Sequence, residues 1–258
     1  MNRYLSTVGL YVRSNLYRIL LITLVTALLA GFLVYRCPME QEVTGYYYDP
    51  DGAPVPYAYS APYLDGVIRL SRAPIVCAVG FTAVVAVMSL TGCGYGAKTD
   101  YTVRRLRVGE KTACLLWSGY HAALLLIFWA ALALTLYGAL LLRGRMIPPD
   151  SGYTFSLQSM MLVCYTDTFL HHLIPMQDLG VWAVDVASVL AAALSSVQFS
   201  HRQRRGGFSI GIFCVAACVI AAFFCPLGGS WSFILMVLLL ALAGGAVNVM
   251  VGGDDDAA

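Results

Sequence analysis

Apolar positions in this chain run in long blocks rather than alternating or recurring once per helical turn. Six blocks stand out, near Tyr17–Tyr35, Ala73–Gly92, Cys114–Leu142, Leu179–Phe199, Phe208–Cys225 and Ser230–Val251. The hydrocarbon core of a bilayer is about 30 Å thick and takes roughly 20 helical residues to cross. Five of the blocks are long enough to cross, and a sixth is nearly clean. The pattern predicts an all-α integral membrane protein, with about six transmembrane helices forming one domain over residues 1–258. The third block would make a helix of about 43 Å, so it should tilt or protrude.

Between the blocks the pattern changes. In "YLSTVGLYVRSNL", Leu5, Val8, Tyr11, Val12 and Leu16 recur at helical spacing among arginines. This predicts an interfacial helix over 1–16 that leads into the first span. Residues 36–72 form a Tyr/Pro-rich stretch, "GYYYDPDGAPVPYAYSAPY", with a strong turn signal at "DPDG", and read as a loop. The segment 143–178 contains "SGYTFSLQSMMLVCYTDTFLHHLIPM", mildly apolar but interrupted by Gln158, Asp167, His171, His172 and Pro175. It reads as a helical segment lying in the interface or dipping into it before the fourth span, rather than as a seventh crossing.

Composition agrees with lipid as the main solvent. The chain is 59% hydrophobic and 12% charged, against roughly 25% charged for a soluble domain. The position of the charge decides orientation. The N-terminus, the connection holding Lys98 to Lys111 and the loop at 201–207 carry eleven of the sixteen basic residues. By the positive-inside rule these lie in the cytoplasm with both termini, while 36–72 and 143–178 lie outside. Most of the eight cysteines fall inside apolar blocks without a C-x-x-C pair, and read as small hydrophobic residues.

Few positions suggest chemistry. "GCGYGAKT" nearly matches a phosphate-binding loop: Gly92, Lys98 and Thr99 fit, but Ala97 stands where the second glycine belongs. A span precedes it where such a loop needs a strand, so nucleotide binding by this chain is not expected. Thr99 can instead cap a short helix with Asp100 in its first turn and Arg104, Arg107 and Lys111 on one face. That face would serve as a docking surface for a soluble partner or as an anchor on anionic lipid. His121 and the pair His171–His172 sit at different depths, which argues against a shared haem; a metal on His171, His172, Asp167 and Asp178 is geometrically open. The polar residues Asp185, Ser195, Ser196 and Gln198 on the fourth span, and Asn248 on the sixth, should face a pathway or a dimer contact. Small residues at Gly207, Gly211 and 243–246 suit helix packing.

Six spans in about 250 residues, an amphipathic N-terminal helix, a basic helix between spans two and three and an outer interfacial segment resemble the type-2 ABC transporter permeases. "TDYTVRRLRVGEK" and "FLHHLIP" are similar to stretches of such permeases in Gram-positive bacteria. The larger insert precedes the fourth span here, whereas much of that family carries a re-entrant piece between the last two. The resemblance implies the membrane subunit of an ABC exporter in a bacterial plasma membrane, working with a second permease copy. Residues 93–113 would then be the coupling loop that docks a separate ABC ATP-binding subunit through Thr99, Asp100, Tyr101, Arg104, Arg105 and Arg107. It further implies no cofactor and no catalysis in this chain, and no nucleic-acid partner. A membrane scaffold or sensor that anchors a cytoplasmic partner through the same loop is the alternative from another class, and a membrane enzyme the third.

Overall fold

The computed structural model describes residues 2–38, 40–48, 54–62, 66–91, 109–147, 156–176, 178–225 and 229–252. In chain order these form α1 (Asn2–Arg36), β1 (Glu40–Tyr48), β2 (Pro54–Pro62), α2 (Val67–Leu70) and α3 (Ala73–Thr91). There follow α4 (Glu110–Arg145), α5 (Leu157–Thr166), α6 (Thr168–Leu173), α7 (Leu179–Arg204), α8 (Gly211–Phe224) and α9 (Gly229–Gly252). Among the described residues, five helices are long and apolar enough to cross a membrane: α1, α3, α4, α7 and α9. The protein is a multi-pass membrane protein whose candidate spans are all α-helical, as the block pattern predicts.

Side-chain contacts orient the bundle. At the end where α1 finishes and the hairpin begins, Arg143 on α4 donates to the backbone carbonyl of Cys37. At the opposite, far end, Ser200 on α7 donates to the carbonyl of Ser89 on α3 at 2.6 Å. Cys114, Trp117, Val197, Ala246 and Met250 form a buried cluster there. The helices therefore alternate in direction, and α1 starts and α9 finishes at the far end. The central element is α7, which packs against α3, α4, α6, α8 and α9.

Three expectations need correction. The N-terminal helix is not set off from the first span: α1 runs unbroken for 35 residues, about 52 Å. Within it there is no proline, and two isolated glycines cost too little to interrupt it. The block at 208–225 yields a helix of only 14 residues, about 21 Å. Gly206 adopts a left-handed φ of 78°, where a side chain would be strained. Its neighbour Gly207 then donates back to the carbonyl of Arg202 at 2.9 Å, closing α7 and postponing the next helix to Gly211. Even so, α8 reaches from Phe199, edge-on to Phe213, to α6, where Phe224 stacks on Phe169.

The Tyr/Pro-rich stretch holds the third. It contains an antiparallel hairpin, with Glu40 opposite Pro62 and Tyr48 opposite Pro54. Pro54, Pro56 and Pro62 are the first, third and ninth residues of β2 and so share one alternation of the strand. Their missing N–H groups therefore project to one edge, and the intervening residues carry the pairing.

The segment before α7 makes two short helices, α5 with 10 residues and α6 with 6. At about 15 and 9 Å neither can cross. Ser156 caps α5 and Asp167 caps α6 by accepting from the Leu170 N–H at 3.1 Å. Phe169, Leu170, His172 and Leu173 are buried, so α6 is set into the hairpin end of the bundle.

Candidate functional site

Polar side chains inside this bundle gather at two levels along α7. The first is at the hairpin end. Asp185, six residues into α7, lies with Oδ1 2.9 Å from Nδ1 of His172 on α6. Both side chains are at least nine-tenths buried, and Phe223 covers the imidazole with ring centroids 4.8 Å apart. The second carboxylate oxygen, Oδ2, is buried without a hydrogen-bond partner. A carboxylate in this setting needs its partner, because the cost of desolvation would otherwise fall on an unpaired charge.

The neighbouring pairs are more exposed. His171 Nε2 is 3.7 Å from Asp178 Oδ2, and Arg69 Nε is 3.7 Å from Asp167 Oδ2. Asp178 caps α7, accepting from the N–H groups of Gly180 and Val181. These backbone hydrogen bonds, and then the His171 imidazole, hold its carboxyl below the usual range. Cys164 on α5 is the opposite case: burial, helped by the Asp167 carboxylate, pushes its thiol up to about 11. It is a packed thiol, not a nucleophile.

The second level lies 11 residues further along α7, about 16 Å away. His121 Nδ1 is 2.7 Å from Ser196 Oγ, and Ser196 donates its only proton to the carbonyl of Ala193 at 2.8 Å. His121 must therefore donate from Nδ1, which leaves Nε2 as an acceptor; that nitrogen is buried and unpartnered. Ser195 Oγ, Tyr120 Oη and both polar atoms of the Asn15 amide are buried without partners as well. Asn15 belongs to the same level: Gly31 on α1 sits against Thr135 on α4, and 16 residues back along the two parallel helices lie Asn15 and Gly119. In a low-dielectric interior each unmade hydrogen bond costs about 1–3 kcal/mol. Unpartnered polar atoms on α1, α4 and α7 thus lie buried towards the far end of the bundle.

The expected site residues separate on this scaffold. Asp185 belongs to the hairpin-end level, while Ser195, Ser196 and Gln198 belong to the far level, and all four are buried. Asn248 joins neither: it is exposed on α9, beside Gly244 and Gly245, whose missing side chains would meet nothing within 4 Å. Thr99, Asp100, Tyr101, Arg104, Arg105 and Arg107 lie outside the described residues. The four residues considered for a metal are divided among ion pairs. Among the described residues no group of three or more histidine, cysteine or acidic side chains could hold an ion. Sequence reasoning singled out His172 and Asp185 separately but did not pair them. The available signal was that both are polar interruptions flanking the break at Pro175, His172 three residues before it and Asp185 ten after it.

No protein-family model, no curated protein and no solved structure matches this chain.

Proposed function

We propose that this chain is the membrane-spanning permease subunit of an ABC exporter, driven by ATP hydrolysis in a separate subunit. One observation carries the reading: among the described residues Arg3, Arg13, Arg18, Lys111, Arg202, Arg204 and Arg205 fall at the far end of the bundle, and the sequence that joins α3 to α4 carries four more basic residues. The start of α1 and the end of α9 lie there, with the α7–α8 turn and the ends of α3 and α4 that residues 92–108 connect. On this reading the far end faces the cytoplasm of a bacterial cell. The connection 93–113 is then the surface that receives the ATPase, with Arg104, Arg105 and Arg107 giving charge complementarity and a faster encounter. The buried polar groups on α7 support a pathway along it: a solute crossing there meets hydrogen-bonding groups at two levels instead of uninterrupted hydrocarbon.

The test is affinity purification of the tagged full chain from its native membrane, with bound partners identified by mass spectrometry. Wild type should recover a protein that carries a complete phosphate-binding loop. The triple reversal Arg104→Glu, Arg105→Glu, Arg107→Glu should lose most of it while inserting normally. Equal recovery with both forms would overturn the assignment.

A further inference from the structure

At the hairpin end, between the α2–α3 turn, α6 and the end of α8, lies a cavity of about 350 Å³. Its mouth carries Arg69, Arg72 and Asp167, and its wall is formed by Phe169, Phe223 and Phe224. The same three phenylalanines also line a smaller recess of about 30 Å³, which continues inward past Cys77, Phe81, Phe128 and Trp129. The cavity thus passes from cationic to purely apolar in the direction of the bundle interior.

The cations are placed with care. The Asp167 carboxylate is 2% exposed, and it is already anchored by capping α6. It holds Arg69 by one nitrogen at 3.7 Å, while the Arg69 side chain remains 68% exposed. A guanidinium has five N–H donors in a planar fork, so this single contact leaves most of them for another partner. Arg72 is a non-glycine residue with φ at 56°, a conformation that costs energy and concentrates at functional positions. Among the described residues no carboxylate lies in salt-bridge range of it. Among the described residues that line it, the cavity sets two arginines against one carboxylate.

We infer that this cavity binds an anionic amphiphile, its acidic head held by Arg69 and Arg72 and its apolar body against Phe169, Phe223 and Phe224. At about 30 Å³ for each group of water or methylene size, the cavity seats roughly ten non-hydrogen atoms. That is enough for a carboxylate or phosphate head and the first part of a chain, whose remainder enters the recess or the surrounding lipid. The site stands whether or not the chain is a permease, since it rests on the cavity alone. His172, behind Phe223, ties its back wall to Asp185.

Trp129 reports on the site, because it lines the recess with its ring edge-on to Phe223 at 4.3 Å. The experiment uses the full chain with Trp117, Trp182 and Trp231 changed to Phe, in phosphatidylcholine nanodiscs, and follows quenching of Trp129. The probes are 12-bromododecanoate and its uncharged match 12-bromododecanol; chain-brominated phosphatidylglycerol in a third arm separates a bilayer lipid from a free amphiphile as the source. Saturable quenching by the carboxylate, at least tenfold tighter than by the alcohol, is expected. Arg69→Gln with Arg72→Gln should abolish that preference, whereas Arg69→Lys with Arg72→Lys should keep most of it. Equal, non-saturating quenching by acid and alcohol would overturn the site. So would an unchanged preference in the glutamine pair when size-exclusion behaviour shows it folded.

Discussion

Among individual residues, the His172–Asp185 pair gives the sharpest expectation. Removing one member of a buried pair strands the other, at about 3–5 kcal/mol, whereas replacing both with apolar groups can be close to neutral. Thermal unfolding in detergent should therefore show His172→Leu more destabilised than the double variant His172→Leu, Asp185→Leu. Additive losses would mean the two side chains do not act as a unit. Asp178 offers a pH test. Its carboxyl is held low by the N–H groups of Val181 and Gly180 and then by His171, so its folded pKa lies below its unfolded one. The stabilisation is then complete above about pH 4 and disappears as pH falls through the lowered folded value. Half the side chain is exposed, so the charge contributes little and the cap more: Asp178→Ala should cost about 0.5–2 kcal/mol at neutral pH. Asp178→Asn should cost less and remove the acid-dependent part, which unfolding curves between pH 3 and 6 would reveal.

Helices and strands were unevenly legible in the sequence. Long apolar blocks announce α1, α3, α4, α7 and α9, because a crossing helix needs one uniform property over many residues. The hairpin did not announce itself: three prolines in nine residues argue against a strand unless they all fall on one edge, and edge assignment needs the partner strand. Helix contacts were equally hidden. The visible small-residue patterns, Gly207 with Gly211 and the run at 243–246, do not mark the tight crossings. Lone glycines do, Gly80 against Thr26 and Gly31 against Thr135. A side chain at position 80 would collide with the Thr26 side chain, so Gly80→Leu should destabilise the α1–α3 contact by about 1–3 kcal/mol. Thr26→Ala in the same chain should recover part of that loss. Gly245→Leu, with open space around it, should stay within about 0.5 kcal/mol of wild type. A larger loss at 245 than at 80 would reverse this account of which glycines the fold requires.

The whole molecule poses the question of which end faces which compartment, and here charge, not packing, decides. Packing alone is indifferent to inversion: the bundle would bury the same side chains with either end in the cytoplasm. Insertion is not indifferent, because basic residues beside a span are retained on the cytoplasmic side. The far end carries Arg13, Arg18, Lys111 and the cluster Arg202, Arg204 and Arg205, besides the basic connection between α3 and α4. The hairpin end has Arg36, Arg69, Arg72, Arg143 and Arg145. Cysteine labelling in a background without native cysteines would read the outcome. Met146, at the hairpin end of α4 and 53% exposed, should react as Met146→Cys with a membrane-impermeant maleimide added to intact cells. Gly207→Cys, in the α7–α8 turn where the added side chain meets only ordinary contacts, should react only after the membrane is opened. The reverse pattern would put the basic connection outside the cell, beyond reach of any ATPase in the cytoplasm, and the exporter reading would fall with it. Shifting the charge balance extends the test. Replacing Arg202, Arg204 and Arg205 by Gln leaves eight basic residues against five, and a minority of inverted molecules, labelled at 207 from outside, is expected if charge rather than packing holds the orientation.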